Sequence, residues 1–327
     1  MATPGSLAGT AAAGGGSSLA VDAAGLHAMT SAPETDDDIA GYVKALGLPG
    51  LIDVHTHFMP RQVLAKVWAY FDAAGERFGT PWPIAYREEE DALVARLRGF
   101  GVRAFTAMLY PHKPDMAAWL NAWAVDFAAR TPDCLHTATF FPEPEADRYV
   151  AEALDAGARV FKAHLQVGGY DPRDPLLVPV WRRLADTGAP VVVHCGSGPY
   201  PGAFTGPQPM SDVMAAHPDL TLVVAHMGLP EYAEFAALAE RYPRVHLDTT
   251  MAFTDFINAY APCPAEVVET YGRLADRVLL GSDFPNIPYT YGHQLAALDR
   301  LGLGDDWLRA VLHDNAAALF GLDGQAP

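Results

Sequence analysis

Eight short apolar segments recur along this 327-residue chain, and their number is the feature that most constrains its fold. Many of their residues are β-branched or aromatic and few alternate with polar residues, which is typical of parallel strands buried on both faces. Amphipathic stretches of helical length lie between them, such as residues 116–130, 145–156, 176–187, 231–241 and 265–274. The eight segments are residues 51–54, 102–109, 135–141, 159–165, 190–194, 220–226, 245–248 and 277–283.

Eight alternating strand and helix units predict an α/β fold, a single (β/α)8 TIM barrel. A barrel of this kind takes roughly 200 to more than 400 residues, so the chain is long enough for one. The alternative is a doubly wound open sheet, which would carry a Gly-x-Gly-x-x-Gly phosphate loop after an early strand. The first segment is not followed by such a loop, and we expect residues 39–327 to form one barrel domain.

Two parts of the chain depart from this rhythm. Residues 1–38 are rich in Ala, Gly and Ser and end in an acidic turn, so we predict a flexible tail that buries little surface. Residues 60–90 form a long connection after the first segment and carry six aromatic side chains. We interpret this connection as an insertion that roofs the active site. The alternative is a surface for contacts between subunits, which would make the protein a homodimer.

The charge balance and the cysteine count narrow the classes of partner. The chain has 39 Asp and Glu against 22 Lys and Arg, a formal net charge of −17, which argues against nucleic acid and anionic membranes. Three scattered cysteines imply no disulfide framework, and we recognise neither a signal peptide nor an apolar run of membrane-spanning length. We therefore expect a cytoplasmic protein that acts on a small molecule.

Two histidines, His55 and His57, follow the first apolar segment. Side chains two residues apart on a strand point to the same face, so both imidazoles are predicted to project together. Their position is the carboxyl end of a predicted barrel strand, where barrel enzymes place their catalytic groups. Two imidazoles on one face are suited to a divalent metal ion.

The same pattern recurs at the ends of three later segments. The fifth segment ends in His194, the sixth in His226 and the eighth in Asp283. Because the carboxyl ends of barrel strands surround one mouth, we expect these side chains to lie close to the first two histidines. Each is a potential metal ligand or proton-transfer group.

Three stretches of the sequence carry motifs of a known superfamily of barrel enzymes. They are Ile52-Asp53-Val54-His55-Thr56-His57-Phe58, Gly281-Ser282-Asp283-Phe284-Pro285 and Asn315-Ala316-Ala317-Ala318-Leu319-Phe320-Gly321-Leu322. With these motifs, residues 50–322 resemble the amidohydrolase superfamily, in particular its amidohydrolase-related branch. That branch includes hydrolases of amides and lactones, and also non-oxidative decarboxylases such as aminocarboxymuconate-semialdehyde decarboxylase.

The resemblance implies a metal site and an acid/base partner. By it, His55, His57, His194 and Asp283 would bind one divalent metal ion, zinc or alternatively manganese, and His226 would act as the acid/base group. Residue chemistry agrees, because three imidazoles and a carboxylate can hold Zn²⁺ and leave room for water. The ion can lower the pKa of bound water toward ~7, and Asp283 can accept the proton.

The fourth segment contains Lys162, one of only four lysines in the chain, and His164. Alternation places both side chains on one face. In binuclear branches of the superfamily a lysine at this strand is carboxylated and bridges two metals, which is one interpretation of Lys162. The other is a free lysine paired with a buried carboxylate such as Asp53 or Asp283. We favour one metal ion, with Lys162 and His164 as substrate-binding groups.

The strand-end residues predict a metal-dependent hydrolase that attacks an amide, lactone or ester-like carbon. The alternative is a metal-dependent decarboxylase of a small aromatic or unsaturated acid, since both reactions use the same ligands. Decarboxylases of the branch often carry Glu-x-His, or a characteristic His-Pro-Trp at the fifth strand. This chain has His-x-His and His194-Cys195-Gly196 instead, which favours hydrolysis.

Overall fold

Nine parallel strands surround the core of the computed structural model, which describes residues 31–322. They form one ladder of three strands and one of six, each in sequence order. The strands are β1 (Leu51–Asp53), β2 (Val102–Thr106), β3 (Cys134–Leu135), β4 (Thr137–Thr139), β5 (Val160–His164), β6 (Val191–His194), β7 (Leu222–Val224), β8 (Val245–Asp248) and β9 (Val278–Leu279).

Two junctions close these ladders into a barrel. The third predicted segment forms both β3 and β4, and His136 separates them. Because β3 pairs with β2 and β4 pairs with β5, this one barrel strand joins the two ladders. On the opposite side, the backbone N–H of Val54 donates to the carbonyl of Leu280 at 2.8 Å. The eight predicted strands therefore form a (β/α)8 barrel, which confirms the predicted fold.

Helices follow the strands in the expected alternation. The five stretches predicted to be helical all form α-helices, and each boundary agrees within two residues. No helix among residues 31–322 has the length and apolar character needed to cross a membrane. The α-helices are α1 (Ile39–Ala45), α2 (Arg61–Asp72), α3 (Ala74–Phe78), α4 (Glu90–Gly99), α5 (Ala117–Arg130), α6 (Ala146–Asp155), α7 (Leu165–Gly168), α8 (Val178–Thr187), α9 (Pro207–Ala216), α10 (Tyr232–Arg241), α11 (Asp255–Asn258), α12 (Ala265–Arg273), α13 (Tyr291–Asp299), α14 (Asp305–Arg309) and α15 (Asn315–Phe320).

Alternation along β5 and β6 decides which side chains face the barrel interior. Val160 and Val192 belong to an inner apolar cluster that also contains residues of β1, β2, β3, β7 and β9. Lys162 and His164 follow Val160 at spacings of two and four, and His194 follows Val192 at a spacing of two. These polar side chains therefore face the same interior, nearer its carboxyl end.

The end of the predicted tail contacts the barrel. Residues Asp36–Asp38 form a 3-10 helix, and the Asp36 carboxylate accepts hydrogen bonds from the Tyr86 hydroxyl at 2.5 Å and the Gly292 backbone N–H at 2.9 Å. These three residues therefore differ from the flexible conformation predicted for 1–38. Residues 1–30 of that prediction lie outside the described residues.

The insertion of residues 60–90 forms helices α2 and α3 and the segment that follows them. Two of its tryptophans are bound to the loop after β9: the Trp68 indole N–H donates to the Asn286 side chain at 3.1 Å, and the Trp82 indole N–H donates to the Asn286 carbonyl at 2.7 Å. Both contacts lie three residues beyond Asp283 in the sequence. The interpretation of the insertion as a roof over the active site and the homodimer both stay predictions.

Candidate active site

A cavity of about 790 Å³ opens at the carboxyl ends of the barrel strands. The insertion contributes part of its wall, including Tyr70 and Phe71. The structure brings all the residues predicted for the site to this wall, and each of them is buried: His55, His57, Lys162, His164, His194, His226 and Asp283.

His57 is held with one ring nitrogen free to bind an ion. Its Nδ1 lies 2.7 Å from the backbone carbonyl of Met108, which can only accept a hydrogen bond, so Nδ1 carries the proton. Nε2 is then a lone-pair donor, and it lies 2.9 Å from Oδ1 of Asp283. A ligand histidine is typically oriented by such a bond from its other nitrogen.

His55 is oriented in the same way by a different partner. Its Nδ1 lies 2.9 Å from Oδ2 of Asp248, and its Nε2 lies 3.4 Å from Oδ1 of Asp283. Burial lowers the pKa of His55 to about 4, and Lys162 acts in the same direction. The imidazole is therefore neutral at pH 7 and can serve as a ligand.

The donor set formed by His55, His57 and Asp283 fits a divalent metal ion. Their ligand atoms all lie within 4.8 Å of one another, and all three side chains are buried. Burial alone would raise the pKa of Asp283, but the adjacent His57 and His226 hold that pKa below its ordinary value. Two imidazoles and a carboxylate are ligands that zinc and manganese accept in proteins.

Asp248 is a part of the site that the sequence reasoning missed. It is fully buried at the end of β8, and besides His55 it accepts hydrogen bonds from the backbone N–H groups of His226 at 2.8 Å and Thr250 at 3.1 Å. Burial opposes ionisation, yet His55 keeps the pKa of Asp248 below its ordinary value. The signal was available, because Asp248 ends the seventh apolar segment as Asp283 ends the eighth.

The backbone of His226 is strained, and its imidazole faces the cavity. Its φ is 57° and that of the following Met227 is 55°, values in the left-handed region that non-glycine residues rarely adopt. The ring centroid lies 5.1 Å from that of His55 and 4.7 Å from that of His194. Within residues 31–322 the imidazole makes no hydrogen bond. Burial lowers its pKa to about 4, so it faces the cavity as a neutral group.

Lys162 lies beside the proposed ligands. Its Nζ is 3.0 Å from Nε2 of His55, so the ammonium donates to the lone pair that faces Asp283. Burial lowers the pKa of Lys162 to about 8, although Asp248 and Asp283 oppose that shift. In the described part of the chain, no ion pair joins Lys162 to Asp53 or Asp283, the carboxylates given as examples of partners in one of the two interpretations of this lysine.

His164 and His194 form a stacked pair across β5 and β6. Their ring centroids are 4.1 Å apart with an interplanar angle of 10°. Nε2 of His194 lies 3.0 Å from the Gly198 carbonyl, and Nδ1 of His164 accepts from the Val167 N–H at 3.3 Å. Burial holds the pKa of both imidazoles well below the usual value. His194 lies in the cavity but outside the group of three convergent ligand atoms.

Comparison with known proteins shows which family and which solved structures this chain is similar to. The profile of the family described as "Amidohydrolase" matches residues 52–322. The uncharacterised TIM-barrel protein Bb4693 of Bordetella bronchiseptica is similar in structure, with 21% sequence identity, a TM-score of 0.68, and coverage of 84% of this chain and 99% of that protein. No curated protein sequence gives a significant match.

Two further solved structures represent two reaction types. A 5-carboxyvanillate decarboxylase from Novosphingobium aromaticivorans, complexed with manganese and 4-hydroxy-3-methoxy-5-nitrobenzoic acid, shares 15% identity at a TM-score of 0.58, covering 83% of this chain and 96% of that one. A protein provisionally assigned as a 2-pyrone-4,6-dicarboxylic acid hydrolase, from Pseudomonas putida, shares 19% identity at a TM-score of 0.58, covering 85% and 99%. At these identities the likeness establishes the fold alone.

Proposed function

The chain belongs to the amidohydrolase family, and on this premise we propose that it is a metal-dependent hydrolase of a small molecule. The bond cleaved is that of an amide, a lactone or another ester-like carbon. The observation that carries the proposal is the buried group of His55, His57 and Asp283, with ligand atoms within 4.8 Å of one another. His226 lies beside this group as a neutral imidazole facing the cavity.

The proposed cofactor is one divalent ion, zinc or alternatively manganese, held by His55, His57 and Asp283 with His194 as the fourth ligand. The decarboxylase from Novosphingobium aromaticivorans was solved with manganese. His194 would exchange its bond to the Gly198 carbonyl for the ion. When bound, such an ion supplies Lewis acidity, which lowers the pKa of water and polarises a substrate oxygen.

The residues around the ion have distinct proposed roles. Asp283 is ionised at neutral pH and accepts the proton of the attacking water. The neutral His226 donates a hydrogen bond to the substrate oxygen as negative charge develops on it. His55 Nε2 could not bind an ion and accept a hydrogen bond from Lys162 at once, so metal binding would free the Lys162 ammonium for another partner. Lys162 and His164 are the proposed substrate-binding groups on the same wall.

The second candidate is a decarboxylase, and one feature of the cavity favours it. The Lys162 ammonium lies 3.0 Å from His55, where it could hold the carboxylate of a substrate acid close to the ligands. A structural likeness to a decarboxylase and to a protein assigned as a hydrolase supports neither reaction over the other. The product therefore has to be identified by assay.

Metal analysis and a substrate panel test the proposal together. We expect one equivalent of zinc or manganese per chain, and metal-dependent hydrolysis within a panel of lactones, N-acyl compounds and carboxylated phenols. His57→Ala removes a proposed ligand, so metal affinity and activity should fall by more than the roughly 10- to 100-fold lost when a supporting residue is removed. His217→Ala, on the end of α9 and away from the cavity, is the matched control.

Three outcomes would contradict parts of this proposal. Full metal content and activity in His57→Ala would overturn the site assignment. Release of CO₂ from the carboxylated phenols, without hydrolysis of the other compounds, would replace hydrolase by decarboxylase. Two equivalents of metal together with a carboxylated Lys162 in intact mass spectra would replace the single ion by a bridged pair.

A further inference from the structure

Three of the four lysines of the chain line the active-site cavity. Lys162 is buried near the proposed ligands, Lys66 lies on α2 of the insertion, and Lys113 lies in the loop after β2. Among the described residues that form the wall there is no arginine, and the carboxylates are Asp115 and Asp283. In a chain with a net charge of −17, most of the lysines thus line the cavity that a ligand would enter.

The two outer lysines differ from most arginines in their surroundings. Across residues 31–322, twelve arginines have a carboxylate within 4.0 Å, and no lysine does. Lys66 and Lys113 are exposed at the cavity mouth. Their ammonium groups are therefore available to an anion, whereas most of the arginines are already neutralised by partners.

Much of the remaining cavity wall is apolar or aromatic. Phe71 and Trp82 of the insertion stack at 4.9 Å, and both line the cavity. Trp119, Val167 and Tyr260 also line it, and they are 41%, 43% and 43% exposed. A volume of about 790 Å³ lies in the upper part of the roughly 300–1,000 Å³ typical of pockets for drug-sized ligands. The cavity can therefore hold a molecule with an extended apolar body.

We propose that the substrate is an extended amphiphilic anion with two separately bound ends. Its reacting group lies at His55, His57 and Asp283, its apolar body lies along the aromatic wall, and a remote anionic group is bound at the mouth by Lys66 and Lys113. The reacting end rests on the function proposed above. Two cations at the entrance raise the local concentration of an anion against the repulsion of an acidic protein. As point charges on flexible stems, the lysines accept an anionic group in several orientations.

The proposal is tested by binding of a matched pair of probes, biphenyl-4-carboxylate and biphenyl-4-carboxamide, followed by tryptophan fluorescence on the full-length protein. Both metal-loaded and chelator-treated protein are measured. We expect the carboxylate to bind about tenfold more tightly than the amide in chelator-treated protein. Lys66→Gln and Lys113→Gln should each weaken carboxylate binding about threefold and together about tenfold, with no effect on the amide. Added salt should weaken only the carboxylate.

Lys44→Gln provides the matched control, because Lys44 is exposed on α1 and does not line the cavity. Equal affinity for the two probes would overturn the proposal. A preference for the carboxylate that survives in the chelator-treated double variant would also overturn it, because another group such as Lys162 would then bind the anion. Since chelator-treated protein carries the result, it does not depend on the metal-dependent activity, whose loss is measured separately.

Discussion

Asp248 contacts two of the cavity histidines with its two carboxylate oxygens. Oδ2 accepts from the His55 ring at 2.9 Å, and Oδ1 accepts from the His226 backbone at 2.8 Å. The first contact fixes the tautomer of His55 that leaves Nε2 free for an ion. The second stabilises a backbone conformation at His226 that costs about 1–3 kcal/mol elsewhere in proteins. Asp248 is therefore a positioning residue, because it acts through His55 and His226 rather than directly on the ion or the substrate.

Replacing Asp248 with Asn preserves the shape of this side chain but removes its charge. The amide NH₂ cannot accept from His55, so the ring loses its orienting partner. We expect metal affinity, measured by competition with a chelator, to fall roughly 10- to 100-fold. Asp255→Asn is the control, because Asp255 is an exposed partner of Arg300. Unchanged metal affinity in Asp248→Asn would show that Asp248 has only a structural role.

The sequence predicted the positions of single side chains better than their orientations. Strand-end position and alternation identified all the predicted cavity residues, because these two properties follow from the order of apolar and polar residues. The orientation of the His194 ring did not follow from them. Its Nε2 is directed to the carbonyl of Gly198. Gly198 lies in a loop, where no helix or strand periodicity predicts the backbone conformation. The metal-binding role of His194 consequently remains a prediction.

At the scale of elements, the junction between β1 and β9 is fixed by one buried carboxylate. Asp53 accepts hydrogen bonds from the Ser282 hydroxyl at 2.6 Å and from the Tyr291 hydroxyl at 2.8 Å. Burial raises the pKa of Asp53 to about 7 despite these bonds. Ser282 directly precedes Asp283, and Asp53 lies two residues before His55. The Asp53 carboxylate therefore connects the segment that carries His55 to the segment that carries Asp283.

Tyr291→Phe should weaken this junction without altering any proposed ligand. The change leaves a buried carboxylate oxygen with one partner fewer, a loss of about 1–3 kcal/mol in the free energy of unfolding. Urea unfolding followed by tryptophan fluorescence measures it, and metal content should stay near one equivalent. Tyr260→Phe serves for comparison, because Tyr260 is 43% exposed. Equal stability of the two variants would mean that the Asp53 contact contributes little.

The number and order of elements were predictable, but one strand was interrupted for a local reason. Residues 135–141 were predicted as a continuous strand, whereas the structure has β3 and β4 separated at His136. The Thr137 hydroxyl accepts from the Ala107 N–H at 3.0 Å and donates to the Leu135 carbonyl at 2.9 Å. A side chain thus replaces a carbonyl as acceptor in the ladder. Hydrophobic periodicity does not report which acceptor a backbone N–H uses.

At the scale of the whole molecule, the protein buries several histidines in the neutral form. Burial lowers the pKa of His55, His226 and His246 to about 4, and it holds the pKa values of His164 and His194 well below the usual one. In the unfolded chain each imidazole takes up a proton near its ordinary pKa of about 6.5. Between pH 6.5 and 4 the unfolded state therefore binds more protons than the folded state.

The sign of the pH dependence follows from that difference. Where the unfolded state binds more protons, stability falls as the pH falls, by up to about 1.4 kcal/mol per pH unit for each group. Asp53 acts in the opposite direction, because its raised pKa makes the folded state hold a proton between about pH 4 and 7. One carboxyl offsets only one of five histidines. Chelator-treated protein should therefore lose several kcal/mol of stability between pH 7 and pH 5.

His246 allows this prediction to be tested away from the cavity. It lies on β8, its Nδ1 is buried without a hydrogen-bond partner in the described structure, and it does not line the active-site cavity. His246→Leu removes one of the titrating groups. The slope of the unfolding free energy against pH should therefore fall by the equivalent of up to one proton. Urea unfolding of chelator-treated protein between pH 7 and 5 measures this slope. An unchanged slope in His246→Leu would mean that His246 is already protonated in the folded protein, because a neutral buried imidazole must take up its proton on unfolding.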